Sequence, residues 1–181
     1  SVVVFVGYVF TNRHPAFLWL ASLGFIINWL GDSLDGTVAR YRNIERPKYG
    51  FFVDHTVDAL DEMLVFLGLG LSPYVDFSLA ILTLLGYMLM TVLAYITTIV
   101  SGVFRIAYIS LGPTEMRVIA ILCNTIIYFI GNPSVKLPII GVVGLYNIFV
   151  GCIAALLFGG YIVIMFLKAA ELSRIDEKKK P

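Results

Sequence analysis

The chain has 181 residues, 59% of them hydrophobic and only 14% charged, with a mean hydropathy of +0.90; an ordinary soluble domain carries about 25% charged residues. That composition excludes a soluble globular enzyme and specifies an integral membrane protein. The net charge of +1 says little by itself and the information lies in where the charges fall; no nucleic-acid partner is expected.

Val2 to Phe10 is apolar but too short to cross a hydrocarbon core, which takes about 20 residues at about 1.5 Å each. It reads as half of a first span whose beginning precedes this sequence. No charged segment followed by a small-residue cleavage site marks a signal peptide. After TNRHP at 11 to 15, the run Ala16 to Gly31 is uncharged and continues as span two into an acidic stretch ending near Arg40 to Arg42. The loop YRNIERPKY at 41 to 49 follows, and span three begins near Gly50. SPYVD at 72 to 76 precedes Phe77 to Phe104, which is uncharged, and SLGPTE around 110 to 115 precedes the uncharged run Val118 to Val135. GNPSVKLP at 131 to 138 leads into Leu137 to Leu167, longer than a perpendicular crossing needs, so the Pro138-Ile-Ile-Gly141 start is interfacial or the helix is tilted. The expected fold is therefore an all-α membrane protein of six transmembrane helices, the first truncated, forming a single domain over residues 1–181. Cys123 and Cys152 sit in apolar runs and read as small buried side chains rather than a disulfide.

The basic residues are sorted by side. Of 13 Lys and Arg, Arg13 and Lys136 alone lie in the first, third and fifth connections; the other eleven lie in the second and fourth, their flanks and the tail. The positive-inside rule places the 41 to 49 loop, the 103 to 117 region and the C-terminal tail in the cytoplasm, as in a bacterial inner membrane or the endoplasmic reticulum. The tail SRIDEKKKP reads as a solvated helix end with a basic anchor for anionic membrane lipids.

Four aspartates interrupt this apolar pattern. Asp32 and Asp35 stand three apart and Asp54 and Asp58 four apart, so each pair projects from one helix face. Two antiparallel helices joined by a short loop bring the pairs to similar depth, about 6 Å beyond Gly50 for Asp54 and about 12 Å for Asp58. The result is a polar cavity open to the cytoplasm. A carboxylate at mid-membrane costs roughly 2.5 to 3.5 kcal/mol, and four together also repel one another. A hard divalent cation offsets that cost, and Mg²⁺ is characteristically held by carboxylates plus a substrate's phosphates. Gly36 and Gly50 allow close approach, Ala39 keeps a helix face small, and Arg40 adds a permanent cation. A cation channel or transporter built on the same cluster is the alternative, and it leaves Gly36, Ala39 and Gly50 unexplained.

The set Asp32-x-x-Asp35-Gly36-x-x-Ala39-Arg40, then nine residues, then Gly50-x-x-x-Asp54-x-x-x-Asp58 resembles the signature of the CDP-alcohol phosphotransferases, membrane enzymes of phospholipid headgroup synthesis. All eight fixed positions match. The resemblance implies transfer of a phospho-alcohol group from a CDP-linked alcohol to an acceptor hydroxyl with release of CMP, dependent on Mg²⁺ or Mn²⁺, two ions by expectation. It implies Asp32, Asp35, Asp54 and Asp58 as metal ligands and Asp58 as ligand or general base. It also implies Asp32, Asp35, Gly36, Ala39, Arg40, Gly50 and Asp54 as the CDP-binding set, with Arg40 either a phosphate partner or a helix-end cation. The partners so implied are a CDP-alcohol donor, a lipid or small-alcohol acceptor, and by family analogy a second copy of the chain in a homodimer.

Beyond the signature, Glu62 lies one turn past Asp58 and either positions a polar acceptor or faces water beside Asp61. Arg105 and Arg117 could hold a lipid or substrate phosphate, while Thr114 and Glu115 suit the cap and first turn of span five. The Gly112-Pro113-Thr114-Glu115 turn and the Phe52-Val53-Asp54-His55 context are similar to the choline and ethanolamine branch of the family. The small size fits the prokaryotic branch, which commonly uses CDP-diacylglycerol with a soluble alcohol.

Overall fold

The structure, a computed structural model, describes residues 1–101, 113–138 and 141–178, and the side chains at positions 35, 36, 101, 113, 137 and 178 lie outside that description. Arg105 and Gly112 therefore lie outside the described residues. Within them run α1 (Val2–Phe10), α2 (Phe17–Tyr41), α3 (Pro47–Gly70), α4 (Phe77–Ser101), α5 (Pro113–Ile130), β1 (Ser134–Leu137), β2 (Gly141–Gly144) and α6 (Leu145–Lys178).

Three of these helices, α2, α4 and α6, are long and apolar enough to cross a membrane. Among the described residues the other three are shorter or less apolar. The nine residues of α1 are too few. With 24 residues α3 is long enough, but its apolar positions have been given over to Asp54, Asp58, Asp61 and Glu62. At 18 residues, α5 is short and opens with Glu115 and Arg117. Pro113 occupies its first position, where the missing N–H costs nothing, so Thr114 lies inside the first turn rather than at the cap.

The helices pack in the spatial order α5, α2, α1, α3, α4, α6. Sequence neighbours α2 and α3 are not closely packed on each other; α1 is wedged between their halves remote from the 42 to 46 loop. The wedge depends on missing side chains. A Cβ at Gly7 would come within 2.5 Å of the Ala21 nitrogen, one at Gly24 within 2.7 Å of Val4 Cγ2, and one at Gly68 within 2.9 Å of the Phe5 Cα. Small residues at such crossings let backbones meet where no water-driven force exists between helices in lipid. Val4, Tyr8, Leu18, Ala21 and Phe25 form the buried centre of this packing.

A buried polar chain fixes α5 against the wedge. The Tyr8 hydroxyl donates to Asn124 Oδ1 at 3.1 Å, and Asn124 Nδ2 donates to Ser22 Oγ at 3.2 Å. Tyr8 and Asn124 are each 1% exposed, so the bonds satisfy groups that would be costly to leave unpaired.

The connection into the last helix departs from the all-α expectation. Ser134–Leu137 and Gly141–Gly144 pair as an antiparallel ribbon with Ser134 opposite Gly144 and Leu137 opposite Gly141, and the helix expected from Leu137 starts at Leu145. Gly131, at φ +80°, ends α5, and Gly141, at φ +88°, opens β2; both are conformations that side chains disfavour. Asn132 holds the ribbon in place, donating to the Tyr74 carbonyl at 3.1 Å and accepting from the Tyr146 N–H at 3.1 Å. At the same end Asn147 and Asp76 exchange hydrogen bonds of 2.9 and 2.7 Å, tying α6 to the start of α4. Both cysteines are free.

Candidate functional site

Because α1 separates α2 and α3, the acid-bearing halves of those helices face each other across a cleft rather than a packed seam. The two are bridged directly one turn from the acids, where Asn28 Nδ2 donates to Asp61 Oδ2 at 2.7 Å. Asp32 lies four residues beyond Asn28 toward the loop, and Asp58 three residues before Asp61. Asp58 lies within electrostatic reach of Asp32 across the helices and of Asp54 on its own helix. Asp54 and Asp58 are exposed to the cleft. The side chain of Asp35 lies outside the description, although its place on α2, one turn beyond Asp32, is clear.

The structure also brings in a residue from a third helix. Arg117 Nη1 donates to Asp32 Oδ2 at 2.8 Å, an ion pair between residues 85 positions apart in sequence. Arg117 lies within electrostatic reach of Asp58 as well. The expected phosphate-holding arginine is thus engaged with one of the expected metal ligands. Arg40 behaves differently, its guanidinium turning to Thr37 Oγ1 on its own helix at 3.5 Å.

The donor set suits a hard divalent cation. It consists of carboxylate oxygens from two helices, and its negative charge exceeds what the Arg117 guanidinium offsets. Among the described residues no three His, Cys, Asp or Glu side chains converge on one point, and Asp35 is the member of the set that this count omits.

Gly50 is informative because nothing among the described residues requires it. A Cβ there would meet none of their atoms within 4 Å, and its φ is not positive. The glycine instead leaves open space beside Asp54.

Glu62 continues the Asp54 and Asp58 stripe one turn deeper. Tyr87 of α4 lies within electrostatic reach of the Glu62 carboxylate, while Glu62 Oε2 is shut off from solvent without a hydrogen-bond partner among the described residues. An unpaired carboxylate oxygen inside a membrane protein is expensive and marks a candidate binding group. His55 faces elsewhere, stacked on Phe51 with ring centroids 4.1 Å apart and 5.7 Å from Tyr95. It helps line an aromatic groove of about 240 Å³ with Phe51, Phe52, Thr56 and Tyr95, a groove that Asp32, Asp54 and Asp58 do not line. His14 has a local task, its Nδ1 accepting the Ala16 N–H at 3.1 Å as α2 begins.

Sequence reasoning did not find Asn28, Tyr87 or the Arg117–Asp32 pair. Asn28 carried a signal, a polar residue one turn before Asp32 within an apolar run. Tyr87 carried none, since tyrosine is common in membrane helices.

The fold and the cleft define a helical membrane protein organised around clustered carboxylates. Residues 1–158 match the family model described as CDP-alcohol phosphatidyltransferase. The chain belongs to that family, transferases that act in phospholipid synthesis on a CDP-alcohol donor and an alcohol acceptor. No curated protein and no solved structure matches the chain.

Proposed function

We propose that the chain transfers a phospho-alcohol group from a CDP-linked alcohol, either CDP-diacylglycerol or a CDP-amino alcohol, to an acceptor hydroxyl, releasing CMP. The observation that carries this reading is the reach of Asp58 on α3 to Asp32 on α2, in a chain whose eight signature positions are all intact. When bound, two Mg²⁺ or Mn²⁺ ions held by Asp32, Asp35, Asp54 and Asp58 would neutralise the diphosphate and its developing charge.

The protein's own groups account for the rest. The acceptor oxygen forms a bond to the β-phosphorus as the bond from that phosphorus to the bridging oxygen breaks, and CMP leaves with the electron pair. Asp58 takes the acceptor's proton; a positioned base of this kind contributes about 10²- to 10⁴-fold. Gly36, Ala39 and Gly50 provide clearance for the cytidine diphosphate, and Arg40 lies at its phosphate end. Glu62 accepts a hydrogen bond from a hydroxyl or ammonium group of the acceptor, a role that its unpartnered Oε2 supports. Arg105 is assigned with Arg117 to the phosphate side. The excess of Lys and Arg around the 41 to 49 loop and the tail favours a cytoplasmic opening.

The test is CMP release by the protein in vesicles, offered CDP-diacylglycerol or CDP-choline with a panel of glycerol phosphate, serine, inositol phosphate and diacylglycerol. One pair should release CMP in a Mg²⁺- or Mn²⁺-dependent way and lose that release with EDTA. Divalent-ion flux across the vesicles with no CMP release from any pair would replace this reading with a transporter.

A further inference from the structure

Arg117 is only 14% exposed, whereas Asp32 is 47% exposed. The guanidinium is shielded while its partner opens onto the cleft. The pair is not what anchors α5, because Asn124, two turns along the same helix face, already ties it to α1 and α2. Arg117 instead supplies positive charge to the acidic cluster, against Asp32 directly and within reach of Asp58.

The electrostatics have two consequences. A carboxylate paired with a guanidinium takes a divalent cation less readily, since the cation must displace the arginine or be repelled by it. Once a divalent cation takes Asp32, the shielded guanidinium loses its counter-ion, and an unpaired charge in such a place is strongly unfavourable. A substrate phosphate is the anion that arrives, and a guanidinium fork matches it. Resting on the metal-dependent reading above, we infer that Arg117 is an exchangeable counter-cation, which holds Asp32 while metal is absent, is released from it by the divalent ion, and then binds a phosphate of the substrate. Metal loading thereby creates the anion site, and by linkage the two affinities rise together.

The full chain in nanodiscs, without nucleotide, is titrated with Mn²⁺, with the free ion read from its EPR signal. Arg117→Gln should bind Mn²⁺ about tenfold more tightly than wild type. Arg117→Lys keeps a cation and should stay within about threefold, while Asp32→Asn should bind at least about tenfold more weakly. Unchanged or weaker binding by Arg117→Gln overturns the exchange and makes Arg117 a fixed support for Asp32. If Arg117→Gln does not fold, the wild-type protein decides. With ¹⁵N-labelled arginine, the guanidinium resonance that disappears in Arg117→Lys should move on saturation with Mg²⁺ in the absence of nucleotide, and a stationary resonance overturns the inference. Absence of Mn²⁺ binding by wild type itself would remove the metal reading, and the exchange with it, a result distinct from binding that ignores Arg117.

Discussion

Gly50→Ala separates what the fold needs from what the ligand needs. In the protein alone the added Cβ meets no atom within 4 Å, so there is no steric cost, and Gly50 lies in the first turns of α3, which begins at Pro47. Alanine is preferred over glycine in a helix interior by about 0.8 to 1 kcal/mol, and somewhat less near an end, so stability should rise by roughly 0.5 kcal/mol or stay level. If the space beside Asp54 holds the cytidine diphosphate, the same methyl enters it. Overpacking a fitted site costs about 1 to 3 kcal/mol, which is a rise of about 5- to 150-fold in KM for the donor. The assays are thermal unfolding in detergent and CMP release as a function of donor concentration. A variant at least as stable as wild type with an unchanged donor KM would refute the clearance argument.

Gly7→Ala should behave in the opposite way, because its Cβ would fall 2.5 Å from the Ala21 nitrogen and must push α1 from α2 by most of an ångström; a loss of about 1 to 3 kcal/mol read as a lower melting temperature is expected, and an unchanged one would show that the wedge is not tight. Asp58→Asn should lower CMP release by about 10²- to 10⁴-fold while leaving the melting temperature alone, since Asp58 is exposed to the cleft; activity within tenfold of wild type would remove it as the base. Asn124→Ala strips partners from Tyr8 and Ser22 and should cost about 1 to 2 kcal/mol of stability, whereas an indifferent melting temperature would mean that α5 is held by apolar packing alone.

The acidic stripe was legible because a helix repeats every 3.6 residues. Intervals of three and four put Asp32 with Asp35, and Asp54 with Asp58, on single faces, and a short loop makes the faces antiparallel. The pairing of Ser134–Leu137 with Gly141–Gly144 was not legible, since a run such as Leu137 to Val143 suits a strand or a buried helix equally. Its strand form depends on Asn132 reaching Tyr74 and Tyr146, contacts that no local pattern announces. Six helices are present among the described residues, as expected, and hydropathy marks three of them as candidate spans; α3 is less apolar because the charges that build the site sit in it.

By itself the sequence determined the membrane character, the helix pairs, the carboxylate set and the family, because each is written in composition or in spacing within a few dozen residues. Tertiary structure alone decided that α1 parts α2 and α3 into a cleft, that Asn28 meets Asp61, and that the guanidinium beside Asp32 is Arg117. Those contacts join residues far apart in the chain, and steric fit at Gly7, Gly24 and Gly68, together with a buried asparagine, selects them; neither is visible in a local pattern.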